Sequence, residues 1–260
     1  MTAKNLQDRV AIVTGGGSGF GEGIAKLFAE RGARVVVADI RLEAAQAVAQ
    51  AIQAGGGQAI AVGADVTRNE SVGAMVAAAV EAFGGLDILV NNAGTTHKNR
   101  PMLEVDEATF DRVYATNVKS IYLGAVHAVP QFRKQAAAGR RGGVIINIAS
   151  TAGVRPRPGL SWYNGSKGAA VNLTKGMAVE LAPEGIRVNA VNPVMGVTGL
   201  IQDFLPGEDS EATRAKIIAT IPLGRLSTPL DVARATAFLA SDEAEFITGV
   251  ALEVDGGRCI

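Results

Sequence analysis

Seven short runs rich in valine, isoleucine and alanine recur along the chain and constrain its fold more than any other feature. Each run is continuously apolar rather than alternating between apolar and polar residues. Continuous runs of this length are typical of parallel strands that are covered on both faces of a sheet. The runs that we predict to be strands are 9–14, 33–39, 57–65, 86–93, 142–150, 185–192 and 250–257.

Longer helical patterns separate these runs and end at a glycine or at Pro-Glu-Gly, which are helix stop signals. No linker rich in proline or serine interrupts the alternation. This order predicts an α/β fold: a single doubly wound Rossmann-type domain over residues 1–260, with a parallel seven-stranded sheet and helices on both faces. The predicted helices are 21–32, 41–56, 68–85, 106 to about 138, and 163–185.

One stretch, from residue 193 to about 222, carries no strand pattern and breaks the alternation. Long connections of this kind in a compact domain are usually binding loops or lids. Three glycines, Gly196, Gly199 and Gly207, offer hinge positions within it. We therefore predict that this segment, here called the lid segment, closes over a ligand.

Charge and composition exclude several classes of function. Lys and Arg number 25, as do Asp and Glu, so the formal net charge is zero. A nucleic-acid or anionic-membrane partner usually requires a basic excess, and neither partner is expected here. The N-terminus lacks a signal-peptide core, no apolar run approaches the roughly 18–20 residues that span a bilayer, and the single cysteine suits a reducing compartment, so we expect a cytoplasmic protein. With only two histidines in the chain, we expect no metal site.

A glycine-rich turn, "TGGGSGFG" at residues 14–21, joins the first strand to the first helix. Backbone amides and a helix N-terminus meet at such a turn and suit an anionic pyrophosphate, although many tight turns use glycine for conformation alone. Asp39 ends the second strand, where a carboxylate accepts hydrogen bonds from ribose hydroxyls and repels a 2′-phosphate. The pattern favours NAD over NADP. Two alternatives stay open: Asp39 as a helix N-cap, and Arg41 as a phosphate partner.

Tyr163 and Lys167, in "SWYNGSK", stand four positions apart, which places both on one face of a helix. A nearby ammonium group favours the phenolate, as does the positive ring of oxidised nicotinamide, and a tyrosine with a lowered pKa serves as general base or general acid. Ser150 ends the fifth strand, where side chains face the ligand crevice. For the Tyr/Lys pair alone, an ordinary surface pair is the simpler interpretation.

The turn "TGGGSGFG", the stretch "NNAG" at 91–94, the Ser150/Tyr163/Lys167 set and the closing "DGG" together resemble the short-chain dehydrogenase/reductase family, over essentially the whole chain. The resemblance implies that Ser150 binds the substrate oxygen and that Asn117 is a fourth catalytic residue, which holds a water in a proton relay from the lysine. It also implies a homotetramer, with interfaces on the helices from 106 and 163. The cofactor-contacting residues that it implies are Gly15, Ser18, Gly19, Phe20, Gly21, Asp39, Asp65, Val66, Asn91, Ala93, Gly94, Tyr163, Lys167 and Thr198.

The chain departs from the family at Val194, where a glycine usually follows the proline, and this puts the backbone path over 194–197 in question. Thr198 keeps the family's position for a contact with the nicotinamide carboxamide.

The expected pocket wall mixes apolar and small polar residues, which favours a neutral ketone or secondary alcohol as substrate. Trp162 and His97 are candidates for contact with it, although Trp162 also suits a subunit interface. The arginines in "RPRP" (155–158) and at 140–141 would suit a phosphorylated carrier arm, but a solvated surface is the simpler interpretation. Cyclic alcohols, the sugar of a sugar dehydrogenase and the thioester of a 3-oxoacyl-(acyl-carrier-protein) reductase all stay open. A dinucleotide-binding sensor or scaffold is the non-enzyme alternative.

Overall fold

The computed structural model describes residues 5–140, 142–197, 199, 201–205 and 210–260. Seven strands form one parallel sheet in the order β3-β2-β1-β4-β5-β6-β7. The change of direction between β1 and β4 makes the fold doubly wound, as predicted, and creates a crevice at the carboxyl ends of those two strands. The strands are β1 (Val10–Thr14), β2 (Arg34–Asp39), β3 (Gln58–Gly63), β4 (Ile88–Asn91), β5 (Val144–Ile148), β6 (Arg187–Pro193) and β7 (Ala251–Val254).

Helices cover both faces of the sheet, which confirms the predicted fold class. The helices are α1 (Gly19–Glu30), α2 (Leu42–Ala54), α3 (Asn69–Phe83), α4 (Glu107–Tyr114), α5 (Ser120–Ala137), α6 (Ser161–Leu181), α7 (Ile201–Phe204), α8 (Glu211–Ile218) and α9 (Pro229–Ala240). One apolar core packs α1, α2 and α9 against one face, and a second packs α3, α5 and α6 against the other. The continuous strand runs follow from this double covering.

The predicted long helix from residue 106 is divided in the structure. Asp106 caps α4 by accepting a hydrogen bond from the Thr109 amide, and a π-helical turn, Ala115–Lys119, separates α4 from α5. A π turn inserts one residue into an α-helix and is frequent at functional sites. It contains Asn117, a candidate catalytic residue, and the sequence did not predict this local distortion.

Helix α9 was not among the predicted helices, because the sequence analysis assigned no element between residues 223 and 249. Its start signal is present, however. Thr228 accepts a hydrogen bond from the Asp231 amide, and the Asp231 carboxylate bonds the Thr228 amide in return, which forms a capping box. Arg225 holds the same carboxylate. The capping box defines the start of α9, which packs against the same face of the sheet as α1 and α2.

The lid segment contains the short helices α7 and α8 and has its own small apolar cluster. Val194 lies in that cluster, buried, and its amide donates to the Val254 carbonyl. Ser227 holds the backbone of the next residues in place. Its hydroxyl donates to the carbonyl of Val194, and its own carbonyl accepts from the Val197 amide. The backbone path over 194–197 is thus defined, with Val194 contributing a packed side chain where the family pattern has a glycine.

No helix among the described residues combines the length and the hydropathy that crossing a membrane would need.

Candidate active site

The glycine-rich turn lies at the carboxyl end of β1, beside the switch point of the sheet. Gly15 has a φ of 60°, in the left-handed region that disfavours other residues. Ser18 occupies the N-cap position of α1, yet its side chain makes no capping hydrogen bond. The amides of the first helical turn, at Gly19, Phe20 and Gly21, are therefore not capped by Ser18 and suit an anion such as a pyrophosphate.

Asn92 holds this turn in place, and the sequence analysis did not identify it. Its amide nitrogen donates to the carbonyl oxygens of Thr14, at 2.8 Å, and Gly15, at 3.1 Å. A side chain at Gly21 would collide with both the Gly15 carbonyl and the Asn92 amide. Asn92 therefore connects the end of β4 to the turn after β1. Its place within "NNAG" was the available signal.

Asp39 reaches the same turn from the end of β2. Its carboxylate accepts hydrogen bonds from the amides of Gly17 and Arg41, each at 3.0 Å. Arg41, and not Asp39, occupies the N-cap position of α2, so the alternative role of Asp39 as an N-cap is not what the structure shows. The Arg41 guanidinium lies 3.9 Å from the carboxylate and donates to the Ser18 hydroxyl at 3.4 Å. The Asp39 carboxylate and the Arg41 guanidinium therefore both lie next to the glycine-rich turn.

The next predicted cofactor residues, Asp65 and Val66, follow β3. The Asp65 carboxylate accepts from both the amide and the hydroxyl of Thr67, and these bonds hold the pKa of the Asp65 carboxyl below its ordinary value. Val66 is buried beside it. Thr198, the predicted carboxamide contact, lies outside the described residues.

The residues of "NNAG" contact different parts of the structure. The Asn91 side chain does not face the crevice; it donates to Asn147, which donates in turn to Thr174 on α6, so any cofactor contact of Asn91 must come from its backbone. The Ala93 amide donates to the Thr14 hydroxyl. Gly94 leaves space where a side-chain carbon would lie 3.5 Å from the Lys167 ammonium.

Tyr163 and Lys167 are both buried on α6, and the structure brings them together with Ser150. The Lys167 ammonium lies 5.9 Å from the centroid of the Tyr163 ring and donates to the Ile148 carbonyl at 2.8 Å. Ser150 follows β5, and its hydroxyl accepts from the Ala152 amide at 3.1 Å. Ser150 is also close enough to Tyr163 to act on the pKa of the phenol, which it lowers. The spacing in "SWYNGSK" therefore belongs to a buried helix face rather than to a solvated surface pair.

The pKa of Tyr163 is raised by burial, which is opposite to the direction expected from the sequence. The Ser150 hydrogen bond and the charge of Arg157 oppose that rise without reversing it. Burial also lowers the pKa of Lys167 to about 8, so the lysine itself is only weakly held in its charged form. In the chain alone the phenol is protonated at neutral pH, and the cofactor charge must supply any shift in the other direction.

Asn117 reaches the same group from the π turn. Its amide oxygen accepts from the Thr95 amide at 2.8 Å, and its amide nitrogen donates to the Thr95 carbonyl and the Ser166 hydroxyl. A carbon placed on Gly94 would lie 3.4 Å from the Asn117 oxygen. The side chain is therefore fully engaged in holding the loop after β4 against α6.

Phe204 of α7 covers the tyrosine, with ring centroids 5.1 Å apart in an edge-to-face arrangement. Arg157 lies on Phe204 in turn, its guanidinium carbon 5.8 Å from the ring centroid. Phe204 belongs to the lid segment, and the simpler interpretation of "RPRP" placed Arg157 on a solvated surface. That assignment was wrong for Arg157, which is only partly exposed.

The other singled-out side chains lie elsewhere. Trp162 donates to the Met102 carbonyl and contacts Phe110 edge-on, within the chain's own fold. His97 is buried, with one ring nitrogen on the Lys98 carbonyl and the other without a partner. Arg140 pairs with Asp87 at the amino end of β5, so it does not line the crevice. Its neighbour at 141 lies outside the described residues.

Residues 15–258 match a family model described as enoyl-(acyl carrier protein) reductase. Two curated relatives align along almost their whole length. The 4-formylbenzenesulfonate dehydrogenase of Comamonas testosteroni is 53% identical over 98% of this chain and 100% of its own. The cis-4-hydroxycyclohexanecarboxylate dehydrogenase of Sinomonas cyclohexanicum is 43% identical over 96% of each chain.

Solved structures agree with these relatives. A 3-ketoacyl-(acyl-carrier-protein) reductase from Brucella melitensis, complexed with NADH, is 48% identical with a TM-score of 0.91 over 98% of this chain and 100% of that one. A short-chain type dehydrogenase/reductase from Mycobacterium marinum is 36% identical with a TM-score of 0.89 over 98% and 97%. The likeness extends from the glycine-rich turn to the C-terminus.

Proposed function

The chain belongs to the short-chain dehydrogenase/reductase family and is an oxidoreductase of the nicotinamide-dependent kind, and we propose that Tyr163 is the general acid/base of its reaction on a secondary alcohol or ketone. The observation that carries the proposal is the joint burial of Tyr163, Ser150 and Lys167 beside the glycine-rich turn. A dinucleotide held at that turn supplies or removes the hydride when it is bound.

Each residue of the chain then has a separate task. The phenol of Tyr163, protonated at neutral pH, gives a proton to the substrate oxygen in reduction and receives one in oxidation. Ser150 donates a hydrogen bond to the same oxygen as negative charge develops on it. Lys167 adds positive charge beside the ring and would contact the bound cofactor. Asn117 positions the loop after β4, and we assign to it the water of the proton relay.

We propose NAD as the preferred cofactor. Asp39 is buried with its carboxylate fixed by two backbone amides, so a 2′-phosphate beside it would meet a negative charge that is held in place. Arg41 is the opposing feature, but its guanidinium is largely exposed and therefore screened. The NADH complex of the Brucella relative agrees with this preference.

The named substrates of the two relatives guide the choice of substrate class. One is an aromatic aldehyde that carries a sulfonate, and the other is a ring alcohol that carries a carboxylate. We propose a cyclic compound with one hydroxyl or carbonyl group as the substrate. A 3-oxoacyl-(acyl-carrier-protein) reductase is the second candidate, which the 48% identity to the Brucella protein favours.

We also propose a single domain over residues 1–260, a homotetramer, and a lid role for the lid segment. Exposed apolar side chains support the assembly: Tyr122 and Val126 on α5, and Val179 on α6, lie on the faces where the family's interfaces are expected. Phe246, fully exposed near β7, supports a second interface. Contact between Phe204 and Tyr163 supports the lid role.

A panel of cyclic secondary alcohols with NAD, followed by NADH absorbance, tests the proposed reaction. Oxidation of at least one ring alcohol, with a higher kcat/KM for NAD than for NADP, is the expected result. Failure of every alcohol, and of the corresponding ketones with NADH, would support the sensor or scaffold alternative.

A further inference from the structure

A cavity of about 140 Å³ lies beside the catalytic group and is lined by four basic side chains from three separate parts of the chain. Thr151, the residue after Ser150, forms part of its wall. The cavity is smaller than the roughly 300–1,000 Å³ of sites that hold a whole drug-sized ligand, so it suits one end of a molecule. Its lining residues are Thr151, Arg155, Arg157, Val194, Lys216, Ile217, Thr220 and Arg258.

These four cations have no acidic partner among the residues that the structure describes. Arg155 donates to the backbone carbonyl of Arg258, and Arg157 lies on the Phe204 ring. Other arginines are neutralised: Arg133 by Glu184 and Arg225 by Asp231. None of the lining residues is an Asp or a Glu. The cavity therefore gathers positive charge that no acidic side chain in its lining balances.

Arg157 and Arg258 are only partly exposed, whereas Arg155 and Lys216 are exposed. Like charges in a partly desolvated space repel each other more strongly than they do in water, so the repulsion is strongest between the first two. Burial lowers the pKa of Arg157, Tyr163 opposes that shift, and the charge of Arg258 adds to it. An anion between them would offset this repulsion and accept charge-assisted hydrogen bonds in the planar fork that arginine provides.

The cavity adjoins the reacting centre. Thr151 in its wall directly follows Ser150. The Phe204 ring lies 5.1 Å from the Tyr163 ring and 5.8 Å from the guanidinium carbon of Arg157, another lining residue. A substrate oxygen held by Tyr163 and Ser150 and an anion held by Arg157 would thus both lie near Phe204.

We propose that this cavity, bordered by Arg155, Arg157, Lys216 and Arg258, binds a carboxylate or sulfonate group carried by the substrate. The inference rests on the proposed function and narrows it from a neutral substrate to an organic anion. It replaces the expectation of a neutral ketone or alcohol, because the cavity is lined by cations. The sequence did not reveal this cavity, since residues 155–157, 216 and 258 are far apart along the chain.

A matched pair of substrates tests the proposal. cis-4-Hydroxycyclohexanecarboxylate and its uncharged carboxamide share the reacting alcohol and differ at the group that the cavity would hold. In the wild type, kcat/KM for the acid should exceed that for the amide. Arg157→Met and Arg258→Met should each lower kcat/KM for the acid by about 10- to 100-fold, the size of a hydrogen bond to a charged group, and change the amide far less. Arg234→Met, which removes an exposed arginine on α9 outside the cavity, is the matched control.

Binding without turnover separates this proposal from the proposed function. Benzenesulfonate should bind the NADH-loaded enzyme more tightly than benzenesulfonamide in calorimetry, and Lys216→Met and Arg258→Met should remove the difference. This result would support the cavity even if no alcohol is oxidised. Equal affinities for the two compounds, or a preference that survives both variants, would overturn it.

A phosphorylated carrier arm is the competing source of the negative group. A 3-oxoacyl phosphopantetheine thioester and the matching N-acetylcysteamine thioester, which lacks the phosphate, distinguish the two. If only the phosphopantetheine compound loses kcat/KM in Arg258→Met, while the acid and amide remain alike, the cavity serves a carrier arm and the proposal of a small anionic substrate is wrong.

Discussion

The ammonium group of Lys167 lies 5.9 Å from the centroid of the Tyr163 ring, and its hydrogen bond goes to the carbonyl of Ile148 at 2.8 Å rather than to the phenol. The lysine is therefore anchored to the end of β5, the strand that also leads to Ser150. This anchor fixes a positive charge beside the ring while leaving the phenol oxygen free for Ser150 and a substrate. The bond to the Ile148 carbonyl thus positions the lysine, while its charge acts on the Tyr163 ring without a hydrogen bond.

Tyr163→Phe should abolish turnover and preserve cofactor binding. The change removes only the hydroxyl group, and a positioned acid or base contributes about 10²- to 10⁴-fold to rate. Steady-state kinetics should show a loss of at least that size, and NADH titration by fluorescence should show a dissociation constant within about twofold of wild type. Turnover retained near the wild-type rate would falsify the acid/base role.

Lys167→Met should make stability depend on pH differently from wild type. Burial lowers the pKa of Lys167 from 10.5 to about 8. Between those values the unfolded chain binds a proton that the folded chain does not, so the contribution of Lys167 to stability rises with pH across this window. The free energy of unfolding of the variant relative to wild type should therefore be highest near pH 7 and should decline by about 2–3 kcal/mol toward pH 10.5.

Urea denaturation at several pH values measures this difference. Lys175→Met provides the control, because it removes an exposed lysine from the same helix. A difference for Lys167→Met that does not change between pH 7 and pH 10.5, or changes no more than that of the control, would contradict the lowered pKa of Lys167.

Asp39→Asn should shift cofactor preference toward NADP, because it removes the negative charge beside the ribose. The Gly17 and Arg41 amides donate to different carboxylate oxygens, so the single amide oxygen of asparagine keeps an acceptor for only one of them. We expect the NADP-to-NAD ratio of kcat/KM to rise by about tenfold or more. Asp39→Ala should add a loss of about 1–3 kcal/mol in stability, because two partly buried amides lose their acceptor. Glu70→Gln, at an exposed site on α3, should leave the ratio unchanged.

Asn92→Ala and Asn91→Ala should have different effects although the residues are adjacent. Asn92 bonds the carbonyls of Thr14 and Gly15 and shapes the turn, so its loss should weaken NADH binding more than the loss of Asn91. Asn91 belongs to the buried chain with Asn147 and Thr174, and its loss should mainly lower stability, by about 1–3 kcal/mol. NADH titration and urea denaturation of both variants provide the measurements. Equal losses of NADH affinity would show that Asn92 has no special role at the turn.

The sequence predicted the features that depend on local periodicity. Strands β1 to β7 coincide with the seven apolar runs because a doubly covered sheet requires continuous apolar residues. Helix α9 was missed although the Thr228/Asp231 capping box was available. The π turn around Asn117 leaves no periodic signal, since it differs from an α-helix by one inserted residue.

The sequence predicted that Ser150, Tyr163 and Lys167 would lie together, as they do in the structure, but it did not predict their electrostatics. Tyr163 was located by spacing and resemblance, yet the direction of its pKa shift depends on burial, which only the packing of Phe204 and Leu160 around it reveals. The sequence pointed to the arginines of "RPRP" but favoured a solvated surface for Arg157, because nothing in that stretch indicates contact with an aromatic ring of α7. How deeply a side chain is buried, and which distant segments meet around it, depend on the tertiary structure.

Arg258 follows β7, whereas the glycine-rich turn follows β1, so the proposed anion cavity and the proposed dinucleotide site draw on segments that are far apart along the chain. Substitutions after β7 can therefore alter which substrate is accepted while the residues that hold the dinucleotide stay unchanged. The two specificities of the protein can in this way diverge independently.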